Sequence, residues 1–382
     1  MKRAARPPEP ASGSRRAFLR QAGLAAVAPW VLGAAAGRSF ASAFLAAIPG
    51  TTVIDVRSKG ARGDGRQDDT AAIQAAIDAL PAEGGTVTVP PGIYLVDAAR
   101  SIVLRSGTRL RMAPQAQLQA MPNGLERSCV LKVLQVSNVE IVGGRIVGER
   151  DQHRGDTGEW GHGICIRAAH QVSVRDIQVT DCWGDGVFIG ATGRRGSAVE
   201  STDIELRRVV CDRNRRQGLS ITPCRRVGVI DCIFRNTEGT RPQSGIDIEP
   251  QTQGMAQDIR IEGCTLSGNQ GCGLELHDNV VGLVVVACTI TGNRGYGVLG
   301  VGPGQVTLER NTITGNGLDG IAMTARAYDV QITANLVQRN SARFFTRRRP
   351  LALPADAGGV SRDLRVDPST RNVRISGNTF SS

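Results

Sequence analysis

From about residue 139 to the C-terminus, apolar and polar positions alternate in short runs that keep returning as one phrase. It reads V-x-I-x-x-[N/C]-x-[I/L/V/F]-x-x-[N/T], followed after a turn by G-[I/L/V]-x-[I/L]. One copy runs from Val306 through Asn311, Ile313, Asn316 and Gly320 to Met323, and others open at Val139, Val172, Ile204, Val227, Ile259, Leu283, Val330 and Val373. Without an intervening loop the copies lie 23 or 24 residues apart, as from Ile259 to Leu283, Val306 and Val330. A period of this length marks stacked identical units, and alternation inside each unit marks strands with one buried face. The pattern therefore predicts an all-β solenoid over residues 51–382. Each coil has three short strands, and coils stack about 4.8 Å apart. Inward Val, Ile and Leu then stabilise by about 1.5–3 kcal/mol each when fully buried.

Two columns of small polar residues follow from the same alignment. Cys232, Cys264 and Cys288 hold the coil position that is Asn311, Asn335 and Asn378 further on. A second column runs Asn214, Thr237, Asn269, Asn293, Asn316 and Asn340. Stacked amides at a bend satisfy backbone groups that the bend leaves unpaired. A cysteine that alternates with asparagine in such a column acts as a small buried side chain. The nine cysteines are therefore expected to be reduced and structural rather than a disulfide framework.

Ahead of the repeat, Ile73, Ile77 and Leu80 share one helical face behind Asp68, Asp69 and Thr70, which are read as caps and dipole partners. An open solenoid end exposes strand edges, so a capping helix is required there. This opening, from Gly60-Ala-Arg-Gly-Asp-Gly65 through Asp68-Asp-Thr-Ala-Ala-Ile73 to Gly84-Gly85-Thr-Val-Thr-Val-Pro, resembles the pectate-lyase-like, rhamnogalacturonase/epimerase-like superfamily. The resemblance implies a right-handed parallel β-helix that acts on polysaccharides. It leaves the reaction open, because lyases, hydrolases, epimerases and phage depolymerases share the segment. Asp64, Asp68 and Asp69 are read as structural.

Residues 1–43 read as an export signal. Ser14-Arg15-Arg16-Ala17-Phe18-Leu19-Arg20 resembles the bacterial twin-arginine consensus, an apolar run spans Ala22 to Ala36, and Ala41-Ser42-Ala43 offers a cleavage site. The run is short for a membrane span. The expectation is a periplasmic or secreted protein that engages the twin-arginine export machinery and keeps no stable span after cleavage. The signal carries much of the formal charge of +11, leaving about +5, which suits an anionic partner. Nucleic acid is excluded as that partner, since there is no basic helix and aromatic residues are only 4% of the chain.

The glycine-anchored strands carry the candidate chemistry. The residue before each glycine reads His162, Asp185, Gln217, Ser244, Cys272, Tyr296 and Asp319. Two after it come Cys165, Phe188, Ser220, Asp247, Glu275, Leu299 and Ala322; four after it come Arg167, Gly190, Thr222, Glu249, His277, Val301 and Thr324. Asp247, Glu249, Glu275 and His277 thus form a patch on two adjacent coils. Like charges stacked at Asp247 and Glu275 break a local rule, as functional sites often do. Asp185, Asp247, Glu249, His162 and His277 are the candidate catalytic groups. Arg216, Gln217, Glu275, Arg167, Trp160 and Trp183 are the candidate substrate contacts, the two tryptophans as stacking surfaces for sugar rings. Asp247, Glu249 and Glu275 are the set that can hold Ca²⁺, which favours oxygen ligands. Insertions at 149–161, 191–203, 237–244 and 249–258 are expected to wall the site, and residues 341–371, with Arg347, Arg348 and Arg349, form a later excursion.

The register resembles polygalacturonase-type glycoside hydrolases, where successive coils carry Gly-Asp-Asp, Gly-His-Gly and Gly-Ile-Arg-Ile-Lys. Here those places read Gly184-Asp185-Gly186, Arg216-Gln217-Gly218 and Gly245-Ile246-Asp247-Ile248-Glu249. One Asp is kept, while the histidine and both cations are replaced. The Asp-Pro-His-Glu motif of alginate epimerases is absent. The leading expectation is a lyase of an acidic polysaccharide, with His277, His162 or Arg216 as base and a cation on the acids. A hydrolase that uses Asp247 with Glu275 or Glu249 is the alternative. A solenoid that binds or guides polysaccharide without cleaving it is the non-enzymatic one.

Overall fold

The structure, a computed structural model, describes residues 50–341, 351–352, 360–361 and 363–380. The export signal and Arg347–Arg349 lie outside the described residues. Three parallel sheets of 12, 12 and 10 strands run the length of the repeat, and ten coils give one strand to each of the three. One coil places Ile246–Ile248 in the third sheet, Ala256–Glu262 in the first and Thr265–Ser267 in the second. The register follows the sequence phrase: Val227 pairs with Ile259, Ile259 with Leu283 and Leu283 with Val306. Inward residues from all three sheets fill one continuous core.

The bends explain the two ladders. From the strand His170–Arg175 onward, the chain turns after each first-sheet strand through one left-handed residue, such as Asp176, Arg208, Asp231 and Arg310, with φ between 51° and 57° for these four. That turn swings the following N–H out of the sheet, so a side chain from the next coil takes it. The amide N–H of Cys288 donates to Asn311 Oδ1, that of Asn311 to Asn335 Oδ1 and that of Asn335 to Asn378 Oδ1, each at 2.9 Å. Cys232 N–H meets Cys264 Sγ at 3.4 Å in the same way. At the second bend Asn269, Asn293 and Asn316 repeat the arrangement. This column extends beyond its sequence reading at both ends, from Cys182, whose N–H donates to Asn214 Oδ1, to Asp363, which accepts from Asn340. All nine cysteines are free and buried.

Coils approach closely where the third-sheet strand begins. A Cβ on Gly245 would lie 2.8 Å from both the Gly273 carbonyl oxygen and the Asn269 amide nitrogen, so the anchoring glycine is sterically required there. The excursion after residue 341 ends sooner than its sequence suggests. Leu364–Val366 pairs with Ile321–Met323 as an ordinary third-sheet strand.

The helix Thr70–Asp78 buries Ile73, Ala76 and Ile77 in the core of the first coil. Gln74 meets the free edge of the third sheet with both ends of its amide: Oε1 accepts from Val103 N–H at 2.8 Å, and Nε2 donates to the Val103 carbonyl at 3.1 Å. Of the acids at its start, only Asp68 serves the helix as the cap expected. Asp69 makes no cap bond; its carboxylate accepts the N–H groups of Arg62 and Gly63 and fixes the preceding loop. Asp68 accepts the Thr70 N–H at 2.9 Å.

Candidate functional site

The third sheet presents the outward columns in the expected register. Phe188 pairs with Ser220, Ser220 with Asp247 and Asp247 with Glu275. Backbone bonds carry the pairing past the strand ends, from Glu249 N–H to the Ile221 carbonyl and from His277 N–H to the Ile248 carbonyl. A groove runs along this face as two depressions of about 210 Å³ each, which share Arg127, Trp160 and Arg167 as walls. Asp247 and Glu249 line one end, beside Pro250 and Gln253 of the loop that follows them. Gln253 Nε2 donates to the Gly193 carbonyl at 2.6 Å, which joins two of the insertions into one wall.

Asp247 is 2% exposed, although it lines the groove. Its Oδ2 accepts from Gln217 Nε2 at 2.9 Å, and Gln217 Oε1 accepts the Ser244 N–H at 2.8 Å. Ser244 Oγ in turn donates to Glu275 Oε2 at 2.9 Å. His277 Nε2 stands 3.3 Å from Asp247 Oδ1 and 3.5 Å from Glu275 Oε1. Neither contact is aligned as a hydrogen bond, so the interaction is electrostatic. Burial, with Glu275 nearby, pushes Asp247 up to about 6 although His277 opposes it. The Asp247 and Glu275 carboxylates hold His277 up at about 10, so the like-charge stack is offset by one imidazolium. Replacing His277 by glutamine removes the cation that favours the Asp247 anion. The Asp247 ionisation is then expected above about 6, read as the shifted inflection of a carboxyl ¹³C titration. An unmoved or lowered inflection contradicts this arrangement.

Several expected roles change. Gln217 is buried and braces Asp247, so it is a positioning residue rather than a substrate contact. Asp185 is fully buried, with both oxygens 3.2 Å from Arg216 Nη1. It is the internal counter-charge of Arg216 and has no direct access to substrate. Arg216 also approaches Glu159 at 3.5 Å and is too committed to act as a base. His162 is 3% exposed, and burial holds it down at about 4. Its Nδ1 accepts the Asp185 N–H at 3.2 Å and so cannot also donate to Asp185 Oδ2 at 3.3 Å. His162 is thus a neutral wall residue, and His277 is a cation at neutral pH; neither serves as the expected base.

Trp183 is sandwiched between His153, 3.8 Å between ring centroids, and Arg215, 3.6 Å above the ring. Both faces are taken, so it is closed to a sugar ring. Trp160 does line the groove, under the Arg127 guanidinium at 4.0 Å. Arg167 also lines it, over Phe188 at 4.3 Å. Glu249 stays apart from the expected metal set; the atoms within 4.8 Å of one another come from Asp247, Glu275 and His277. Two carboxylates and a charged imidazole do not make the six to eight oxygen ligands that Ca²⁺ takes, and these residues do not fit that ion.

Cys129 and Cys165 form a small cluster with Phe188 in the groove wall. Cys129, and the Arg167 guanidinium beside it, hold the Cys165 thiol below its ordinary range, at about 7. Burial keeps Cys182, Cys211 and Cys224 well above the ordinary thiol range. Cys165 is expected to be the first thiol labelled by a small alkylating reagent in the native protein, as peptide mass mapping would show; equal labelling of the ladder cysteines contradicts this.

This fold and groove place the protein in a recognised class. The family model described as "Right handed beta helix region" matches residues 122–255 and 241–382, and the chain belongs to that family. Residues 53–138 match the model "Rhamnogalacturonase A/epimerase, pectate lyase-like". Among individual proteins, the uncharacterized protein YclG of Bacillus subtilis (strain 168) is 31% identical over 225 residues, 53% of this chain and 38% of YclG. The chain thus spans well under half the length of that relative. The A-module of the Azotobacter vinelandii mannuronan C-5 epimerase AlgE6 superposes with a TM-score of 0.64 at 20% identity, covering 86% of this chain and 99% of the module. The tailspike gp49 of Acinetobacter baumannii bacteriophage Fri1, a capsular polysaccharide depolymerase, gives 0.61 at 13% identity, covering 86% and 63%. At these identities the likeness is one of fold.

Proposed function

We propose that this chain is an enzyme that hydrolyses an anionic polysaccharide lying along the third-sheet groove. Asp247 gives a proton to the leaving oxygen, and Glu249, just past the end of the same strand, either takes a proton from the water that attacks the anomeric carbon or attacks that carbon itself and is then displaced by water. The observation that carries this reading is a pair of carboxyls on one cleft wall, one of them raised to about 6 by burial. An acid raised by burial beside a second carboxyl is a usual basis of such a division of labour. The substrate class is supported by a capsular polysaccharide depolymerase and a mannuronan epimerase on the same fold.

Elimination is the second reading. It needs a base and a cation at one sugar unit, and Arg216 lines the cleft that holds Asp247. The epimerase supports it, since inversion at C-5 requires removal of a proton next to a carboxylate. Incubation with a panel of acidic polysaccharides separates the readings. New reducing ends without unsaturated-uronate absorbance support hydrolysis; the absorbance supports elimination; binding with neither product overturns both in favour of a non-catalytic binder. Export by the twin-arginine route to the periplasm or beyond is part of the proposal and rests on Arg15-Arg16 and Ala41–Ala43. Cell fractionation of the Arg15→Lys/Arg16→Lys variant tests it, and unchanged export contradicts it.

A further inference from the structure

The two depressions of the groove differ in charge. At one stand Asp247 and Glu249, with Arg127, Arg167 and Arg216 also on its wall. At the other, Arg127, Lys132 and Arg167 line the wall with Trp160 and Ser128, and no acid lines it with them. Arginines elsewhere on the coils sit in ion pairs, for example Arg175 with Glu140, Arg208 with Asp176 and Arg226 with Asp203. The Arg127, Lys132 and Arg167 side chains make no ion pair with an acid among the described residues; Arg167 stands by the Cys165 thiol. The Arg127 and Arg167 guanidinium groups lie instead on the Trp160 and Phe188 rings. Stacking of this kind fixes a guanidinium in place while leaving its charge and its N–H groups available.

The coil spacing measures the separation of the two ends. Arg127 and Lys132 lie on the strand Arg127–Leu134, and Arg167 ends the next strand, opposite Leu134. Asp247 is three strands further, through Val187–Gly190 and Leu219–Ile221 to Ile246–Ile248. At about 4.8 Å per coil this is about 14 Å from the Arg167 strand to Asp247. The Arg127 and Arg167 side chains reach part of that way, since both also wall the depression of Asp247, whereas Lys132 lines only the other. Cations spread over this length can hold a unit of the polymer other than the one at Asp247.

We propose that Arg127, Lys132 and Arg167 form a subsite for an anionic substituent of a sugar, a carboxylate or a sulfate ester, on a unit bound about three coils away from the unit at Asp247. The inference rests on the reading that the groove takes a polysaccharide. It goes further in fixing register: the anionic unit sits in the depression that no acid lines. Planar guanidinium groups suit the two-oxygen face of either anion.

Affinity electrophoresis of the full chain in gels containing polygalacturonate, dextran sulfate or neutral dextran tests this. The variants are Arg127→Gln/Lys132→Gln/Arg167→Gln and, as a control with the same change in charge, Arg111→Gln/Arg225→Gln/Arg374→Gln, which alters exposed arginines of the first sheet. The wild-type chain is expected to be retarded by at least one anionic polymer and not by dextran, and which polymer retards it separates carboxylate from sulfate. The groove variant is expected to lose about tenfold or more in affinity, and the control less than about twofold. Arg127→Gln alone, at an exposed side chain, keeps the test open should the triple variant misfold, with a loss of about threefold expected. Retardation that survives the groove substitutions, or that falls equally in the control, overturns the subsite alone. A wild-type chain that no anionic polymer retards overturns the groove reading with it.

Discussion

Asp247→Asn is expected to lower polysaccharide cleavage by about 10²–10⁴-fold, the usual contribution of a positioned proton-transfer group. The substitution is nearly isosteric, and its amide oxygen can still accept the 2.9 Å bond from Gln217 Nε2. The loss would therefore report chemistry rather than collapse of the site. Stability gives an independent check. Burial raises Asp247 from 3.8 to about 6, so the stability linked to this group is present below its unfolded value and lost as pH rises through about 6. Asparagine removes that cost at pH 8 and offsets the loss of a partner for His277, so the melting temperature is expected to change little there. The pH profile of the wild-type enzyme carries the sign of the mechanism. If Asp247 acts as the acid, activity falls as pH rises through about 6; if it acts as the base of an elimination, activity rises over the same interval. Full activity in the Asn variant would remove Asp247 from the mechanism altogether.

The largest effect on stability is expected at Asn293→Ala. The Asn293 side chain accepts from the Asn269 N–H and Nδ2, and donates to the Leu266 carbonyl and to Asn316 Oδ1. All of this lies in the interior, where each buried polar group left unpaired costs about 1–3 kcal/mol. Truncation strands the Asn269 N–H and the Leu266 carbonyl and opens a void, so a loss of about 3–5 kcal/mol is expected, read as a lower urea midpoint. Cys264→Ala in the other column should cost less, because its sulfur makes weaker bonds, at 3.3–3.4 Å. Equal costs at the two positions would contradict the account of the ladders as hydrogen-bonded stacks.

How far the sequence could be read depended on what its period could reach. The columns, both ladders and the adjacency of Asp247 with Glu275 came through because coil pairing converts a spacing of about two dozen residues into direct contact. Arg127, Lys132 and Cys129 escaped notice because their strand carries Cys129-Val130 where later coils carry the anchoring glycine, so the alignment began one coil too late. Trp183 was misjudged because one of its covers, His153, comes from an insertion, and the repeat says nothing of how an insertion folds. Asp185 and Gln217 held their predicted column, yet alternation along a strand cannot tell an outward side chain in solvent from one roofed by its neighbours. For His277 the column was right and the rotamer decisive: its imidazole turns back onto the two acids and leaves Glu249 outside the cluster.

The ladders also bear on how such a chain can change in length. Asn269, Asn293 and Asn316 follow one another at 24 and 23 residues, and each offers the same acceptor upward and the same donors downward. Excision of one full coil between them would bring together faces already complementary to each other, with no new surface to be selected. The stretch from Arg127 to Glu249 has no such freedom, since every rung there bears a different side chain on the groove. One end of the molecule can thus gain or lose whole turns as interchangeable parts, while the other must be altered one residue at a time.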